Sequence, residues 1–358
     1  MNLQRGRDSI FDDKVSGERV TFGDSIIIGT NSKITGKTII IEDRVVIGND
    51  VRIHADYVFI GYGSQIDDRC YIVHDSANSR FVIRDNCRIG SDSKIIIPVF
   101  EAGDYVTIHN HCLVNGYKPC RIGHNTWIGQ NCILNVNEEL RIGNNVGAGI
   151  YSSIWTHGFF GEILEGCNVY KVAPVTIEDD VWILGAYNVI FPGVTLGRKS
   201  IIMTGSVVTK DVLPGHCVSG NPAVDITQKI TPYRDVTVQE KYTKMKEFVH
   251  DFASTRKTVG TKKSDNCWVL SNEQGPYEIH FIPILKNEDI PSDMISLIIT
   301  ENDQTTLQLE KTTIFDMATK VYKKTRTKAE IEFIRFLVSY RARFLPKIIE
   351  VGGAEQNA

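Results

Sequence analysis

Residues 41–54 read I-E-D-R-V-V-I-G-N-D-V-R-I-H, and the aliphatic residues Ile41, Ile47 and Ile53 stand six apart. A helix repeats its faces every 3.6 residues and a plain strand every two, so this spacing is neither. It fits a short strand followed by a corner, with Gly or Asn where the chain turns. Outward from this stretch the spacing recurs in Ile60, Ile66 and Ile72, then in Ile83, Ile89 and Ile95. Ile122, Ile128 and Leu134 continue it, followed by Ile177 and Ile183, and by Leu196, Ile202 and Val208. Gly often comes next, as at Gly48, Gly61, Gly90, Gly123, Gly129, Gly143 and Gly197. Four residues after the aliphatic one stands a small or β-branched residue, such as Val45, Val51, Ser64, Ser93, Thr126, Val146, Val181, Ser200 or Ser206. Cys70, Cys87, Cys112 and Cys132 share that slot and read as small buried apolar residues rather than reactive thiols.

Three such units make one triangular coil. A single coil cannot bury its inward aliphatic residues, so only the stack is stable. The reading is therefore a mainly β chain, with a parallel β-helix over residues 21–226 on the order of ten coils high. A short segment, residues 1–20, precedes it. The period breaks near residues 74–80, 115–120, 135–140 and 155–173. Insertions must leave such a stack as loops, and loops on a rigid scaffold are where function gathers. Beyond residue 226 the period stops. Residues 227–350 read as a smaller α+β extension, with helices expected over 233–257, 315–322 and 328–344 and strands over 277–282 and 295–300. Residues 351–358 read as a frayed tail.

The chain has 358 residues, 42% hydrophobic and 23% charged, enough for a large core and more than one domain. A formal net charge of -3 excludes an overall polycation and gives no argument for nucleic acid. The polar start and the lack of a run of roughly 20 apolar residues argue for a cytoplasmic protein. None of the eight cysteines forms a C-x-x-C pair, so no metal is expected.

Residues 174–223 read PVTIEDDVWILGAYNVIFPGVTLGRKSIIMTGSVVTKDVLPGHCVSGNPA. With V-W-I, P-G-V-T-L-G, G-S-V-V-T-K-D-V-L-P and G-N-P-A in this order, residues 20–226 resemble the hexapeptide-repeat acyltransferases. Within them the likeness is to the galactoside and maltose O-acetyltransferase group. The resemblance implies a left-handed parallel β-helix, a homotrimer with active sites between subunits, and acetyl-coenzyme A as co-substrate. It places the catalytic histidine at S-I-W-T-H-G-F, on His157, just before the long break. Imidazole suits a general base, because its ordinary pKa is about 6.5. Transfer from thioester to hydroxyl would be direct. Family-like cofactor positions are Trp182, Gly185, Ala186, Thr204, Gly205, Thr209, Lys210 and Asn221. Asn135, Asn137, Glu138 and Glu139, one turn before His157, stand where the resembling enzymes bind the acceptor sugar. One departure is Asp225, where the family often has basic residues after G-N-P-A.

The implied activity is O-acetylation of a sugar hydroxyl, in surface-polysaccharide biosynthesis or on a nucleotide-linked precursor. N-acetylation of an amino sugar on the same fold is the alternative. A non-catalytic scaffold and a metalloenzyme of the carbonic anhydrase type rank below them. His54, His74, His109, His111 and His124 lie in or beside coils, with His109 and His111 expected on one strand face. The basic run from Lys320 to Lys347 reads as a solvated face, the alternative being attraction to a phosphorylated acceptor or a peripheral membrane contact.

Overall fold

The structure, a computed structural model, describes residues 2–4, 14–159, 161–255, 261–286, 289, 294–302, 307 and 309–347. The expected tail 351–358 and residues 5–13 of the N-terminal segment lie outside the described residues. The chain divides into two compact units, 1–233 and 234–358. The helical turn Thr227–Ile230 stays with the first unit, tied to the last coil where Cys217 N donates to Thr227 Oγ1.

The first unit is a parallel β-helix of stacked three-sided coils. One ladder runs through strands Arg80–Ile83, Val99–Ala102, Cys120–Ile122, Leu140–Ile142 and Val175–Ile177. A second includes Thr107–Ile108, Trp127–Ile128, Gly147–Ile150 and Trp182–Ala186. A third includes Leu113–Gly116, Ile133–Val136, Ser153–Trp155 and Val189–Ile190. Ile41, Ile47 and Ile53 are 0–1% exposed and join one continuous core with the other periodic aliphatic residues. Val218↔Asp225 pair antiparallel and close the stack.

The corners show what the repeat encodes beyond burial. Two residues after the aliphatic one, an Asn or Asp side chain accepts from the backbone of the preceding coil. Asp43 Oδ1 accepts from Asp24 N, Asp68 from Asn49 N and Asp179 from Asn144 N, each at 2.7 Å. One residue further the backbone is left-handed, as at Arg44, Asp50, Asn86, Asn125, Asn145 and Asp180. The small-residue slot is also polar wiring. Ser64 Oγ donates to Arg84 O at 2.7 Å and accepts from Cys87 N at 3.0 Å. Thr126 does the same between Gly143 O (2.8 Å) and Val146 N (3.2 Å). Cys132 Sγ reaches Gly149 O at 3.1 Å, so the slot cysteines act as weak donors as well as fillers. Burial pushes the thiols of Cys70 and Cys120 up to about 12, which keeps them unreactive.

The recurrent Gly has a different reason from the expected one. It does not supply the turn, which the left-handed residue two positions later makes. A Cβ on Gly48 would lie 2.3 Å from Asp68 Oδ1 and 2.7 Å from Asp68 N, so Gly lets adjacent coils approach.

The second unit carries a sheet running from Thr261–Ser264 through Cys267–Asn272, Gly275–Phe281, Ile295–Thr300, Thr312–Asp316 and Val321–Tyr322 to Leu345–Pro346. Helix Val238–Thr255 begins with a reciprocal cap between Thr237 and Glu240, the T-x-x-E signature. Helix Lys328–Ser339 is capped by Thr327. Phe252 packs on Phe333 with ring centroids 5.1 Å apart, and Phe333 on Phe315 at 5.4 Å. The helix expected over 315–322 is instead a strand end, a turn and a second strand. The β-branched run Thr312–Asp316 is buried at every position, and Asp316 accepts from Ala318 N and Thr319 N to form the turn. The basic run is not one solvated face either: Lys323 is 6% exposed and donates to Leu309 O.

Candidate active site

The four breaks in the period stack on one corner. Each lies where a strand of the third ladder passes to a strand of the first: after Tyr71–Val73, Leu113–Gly116, Ile133–Val136 and Ser153–Trp155. Asn115, Asn135 and Trp155 are in register on successive coils of this edge. Past Trp155 the chain leaves the prism as a hairpin, His157–Phe159 pairing antiparallel with Tyr170–Val172. Leu164 is 93% exposed toward its tip.

Thr156 fixes where the hairpin departs. Its N and Oγ1 both donate to Asn135 O, at 3.3 and 3.0 Å. Its Oγ1 also accepts from Glu138 N at 2.9 Å, and its carbonyl from Ala173 N at 3.0 Å. The imidazole that follows is held from the same residue. His157 Nδ1 lies 2.6 Å from Asn135 Oδ1, and Asn135 is 6% exposed. An amide oxygen only accepts, so Nδ1 carries the proton and Nε2 the lone pair. The Trp155 ring lies beside the imidazole, centroids 6.0 Å apart. An imidazole held this way can accept a proton at Nε2.

Of the four residues expected at the acceptor, Asn135 is thus brought onto His157. Asn137 and Glu138 stand half-exposed at the same corner. Glu139 does not join them. Its carboxylate bridges Arg141 at 2.7 Å and Arg121 at 2.6 Å, and these guanidiniums hold its carboxyl below the usual carboxylate range.

The expected cofactor positions fall in three places. Trp182, Gly185 and Ala186 share strand Trp182–Ala186, and Gly205 N donates to Ala186 O at 2.9 Å. Gly147, in register with Trp182, leaves room for its indole: a Cβ there would meet the ring at 2.6 Å. Gly185 is left-handed at φ +69°, and a Cβ on it would lie 2.0 Å from Thr204 Oγ1. Its smallness therefore has a packing reason independent of any ligand. Thr209 and Lys210 are exposed after Val207–Val208. Asn221 is exposed in the closing turn, where its bond to Pro222 is cis.

Two of the coil histidines, His109 and His124, are held by neighbouring groups. Trp127 Nε1 donates to His109 Nε2 at 2.6 Å, and burial, with Arg88 nearby, lowers the pKa of that imidazole. Asp104 N donates to His124 Nδ1 at 2.9 Å. His109 and His111 do not share a strand face, because the strand ends at Ile108 and His111 is the left-handed corner residue.

Sequence reasoning missed Thr156 and the orienting role of Asn135. The signal was present, since Leu134 and Ile154 occupy one rung a coil apart, which stacks Asn135 under Trp155 and beside His157.

Residues 174–210 match the family described as hexapeptide repeat of succinyl-transferase. Over this stretch the β-helix is similar to hexapeptide-repeat proteins. The chain is 41% identical over 70 residues to a galactoside O-acetyltransferase of Escherichia coli (strain K12), covering 20% of this chain and 34% of that one. It is 47% identical over 58 residues to a 2,3,4,5-tetrahydropyridine-2,6-dicarboxylate N-acetyltransferase of Staphylococcus aureus (strain JH9), covering 16% and 24%. The chain thus spans about a quarter to a third of the length of these curated relatives. Among solved structures, a maltose O-acetyltransferase from Clostridium difficile 630 is 28% identical, covering 37% of this chain and 67% of that one at a TM-score of 0.28.

Proposed function

We propose that the hexapeptide-repeat unit is an acetyl-coenzyme A-dependent O-acetyltransferase acting on a sugar hydroxyl, with His157 as general base. The carrying observation is the 2.6 Å contact of His157 Nδ1 with buried Asn135 Oδ1, which leaves Nε2 as the basic atom. Nε2 takes the hydroxyl proton as the oxygen attacks the thioester carbonyl. The tetrahedral adduct then expels the coenzyme A thiolate, which recovers that proton from the imidazolium. No covalent enzyme intermediate is needed. Trp182, Gly185, Ala186, Thr204, Gly205, Thr209, Lys210 and Asn221 would line the cofactor, and Asn137 and Glu138 the acceptor. Cytoplasmic surface-polysaccharide assembly is the biological setting this acceptor class suits. The exposed apolar hairpin with Leu164 fits a homotrimer, which light scattering would report as three times 40.2 kDa.

The decisive experiment combines a thiol-release assay across hydroxyl and amino sugars with His157→Ala. The variant is expected to keep its β-rich circular dichroism and lose roughly 10²–10⁴-fold in kcat. Near-normal turnover in the folded variant would end the assignment. Preference for an amino sugar would favour the N-acetyl reading; the Staphylococcus aureus relative is named as an N-acetyltransferase, though of a substrate that is not a sugar.

A further inference from the structure

The second unit holds a convergence of donor groups that acyl transfer does not use. Cys267, on strand Cys267–Asn272, stands directly opposite His280 on Gly275–Phe281. Residues two apart on a strand share a face, so Glu278 joins them. Cys267 Sγ lies 3.9 Å from His280 Nε2, and that same nitrogen lies 2.6 Å from Glu278 Oε2. The three donor atoms all fall within 4.8 Å of one another. Cys267 and Glu278 are 7% and 8% exposed, while the His280 side chain keeps 19% and opens the cluster to solvent.

A thiol, an imidazole and a carboxylate can make a nucleophile relay or a metal site. A relay uses both ring nitrogens, one toward the thiol and the other toward the carboxylate. Here a single nitrogen faces both, which is what a shared central cation requires. Sulfur and imidazole ligands select zinc-class ions over calcium or magnesium, which prefer oxygen alone. We propose that Cys267, Glu278 and His280 form a three-ligand site for a zinc-class divalent transition metal, with water in the fourth position. With zinc bond lengths, a tetrahedron needs about 3.6 Å between Sγ and Nε2 and about 3.4 Å between Nε2 and Oε2. The first spacing is nearly met, and the second asks Glu278 to withdraw by under about 1 Å. Lys263 Nζ, 3.1 Å from Glu278 Oε1, holds the other carboxylate oxygen and orients Oε2, an outer-shell role. It reaches there from a register irregularity between Lys262 and Ser264, a kind of feature that re-aims side chains. On binding, the metal replaces the thiol proton, which leaves to solvent. The expectation of no metal rested on C-x-x-C spacing, and these ligands come from facing strands instead.

The test is independent of any transferase assay. Full-length protein freed of affinity tags is titrated with Co²⁺ alone and, by calorimetry, with Zn²⁺ alone. One equivalent per chain is expected, with a thiolate-to-cobalt charge-transfer band and the intense visible bands of four-coordinate cobalt, both bleached by Zn²⁺. Cys267→Ser should abolish the charge-transfer band, and His280→Gln and Glu278→Gln should each weaken binding about ten-fold or more. Should a variant fail to fold, Zn²⁺ protection of one thiol from alkylation, mapped to Cys267 by mass spectrometry, supports the site in the unaltered protein. No stoichiometric binding, a charge-transfer band that survives Cys267→Ser, or no protection of Cys267 would overturn it.

Discussion

The working part of the proposed site is one contact between two side chains. Asn135 contributes its carbonyl to Thr156 and its amide oxygen to His157, so one buried residue sets both the position of the histidine and its tautomer. Replacing it should therefore affect turnover more than binding. A typical hydrogen bond is worth about 1 kcal/mol, so Asn135→Ala should lower kcat roughly 3- to 10-fold, with KM for acetyl-coenzyme A little changed. Steady-state kinetics on the folded variant would check this, and an unchanged kcat would mean that the contact does not orient the base. His157 was legible in the sequence because a resembling motif surrounds it. Its partner was not read that way, because Asn135 precedes it by a whole coil and only the stacking register brings the two together.

At the scale of strands and corners, close approach sets the tolerance to change. A Cβ on Gly149 would lie 2.0 Å from the backbone oxygen of Gly185, with no flexible side chain to give way. Gly149→Ala should destabilise the β-helix by about 1–3 kcal/mol, the range for overpacking a well-filled interior. Urea unfolding would report it as a lower midpoint at unchanged slope, and an unaltered midpoint would refute the packing argument. The closing turn makes a pH-dependent contribution. His216 and then Thr227 hydrogen-bond the Asp225 carboxylate and hold its pKa down to about 2, against roughly 3.9 in an unfolded chain. A carboxylate depressed in the folded state stabilises above the unfolded value, and that gain is lost as pH falls toward 2. The difference in urea midpoint between the parent and Asp225→Asn should thus be present at pH 5 and fade toward pH 2. A constant difference would show that ionisation of Asp225 plays no part. The corners also mark the limit of sequence reading. Burial periodicity identified the aliphatic rungs, but the hydrogen bonds of Ser64, Thr126 and Cys132 run between coils and leave no trace in a one-coil pattern. In the second unit, where no repeat averages out local ambiguity, residues 315–322 read as helix although burial makes them strand and turn.

Across the whole molecule, the two units were legible to different depths for the same reason. The first repeats one solution many times, so a misread position is corrected by its neighbours. The second states each element once. Its hairpin cluster of Cys267, Glu278 and His280 depends on strand pairing, which composition and spacing do not fix.

The coil-to-coil wiring carries a last implication. Ile41 pairs with Ile60 in register, so excising residues 42–60 would join two equivalent positions and remove one full storey. The strand backbones below the cut would face equivalent strands above it, at the loss of the side-chain acceptors Asp43 and Glu42 for Asp24 N and Tyr62 N, and the corner bearing His157 lies several storeys away. Such a shortened protein should fold, melt cooperatively and keep its catalytic rate, whereas collapse or lost turnover would show that the lower storeys are not equivalent. Height is then an adjustable dimension of this prism, which can grow or shrink by whole floors while its chemistry stays in place.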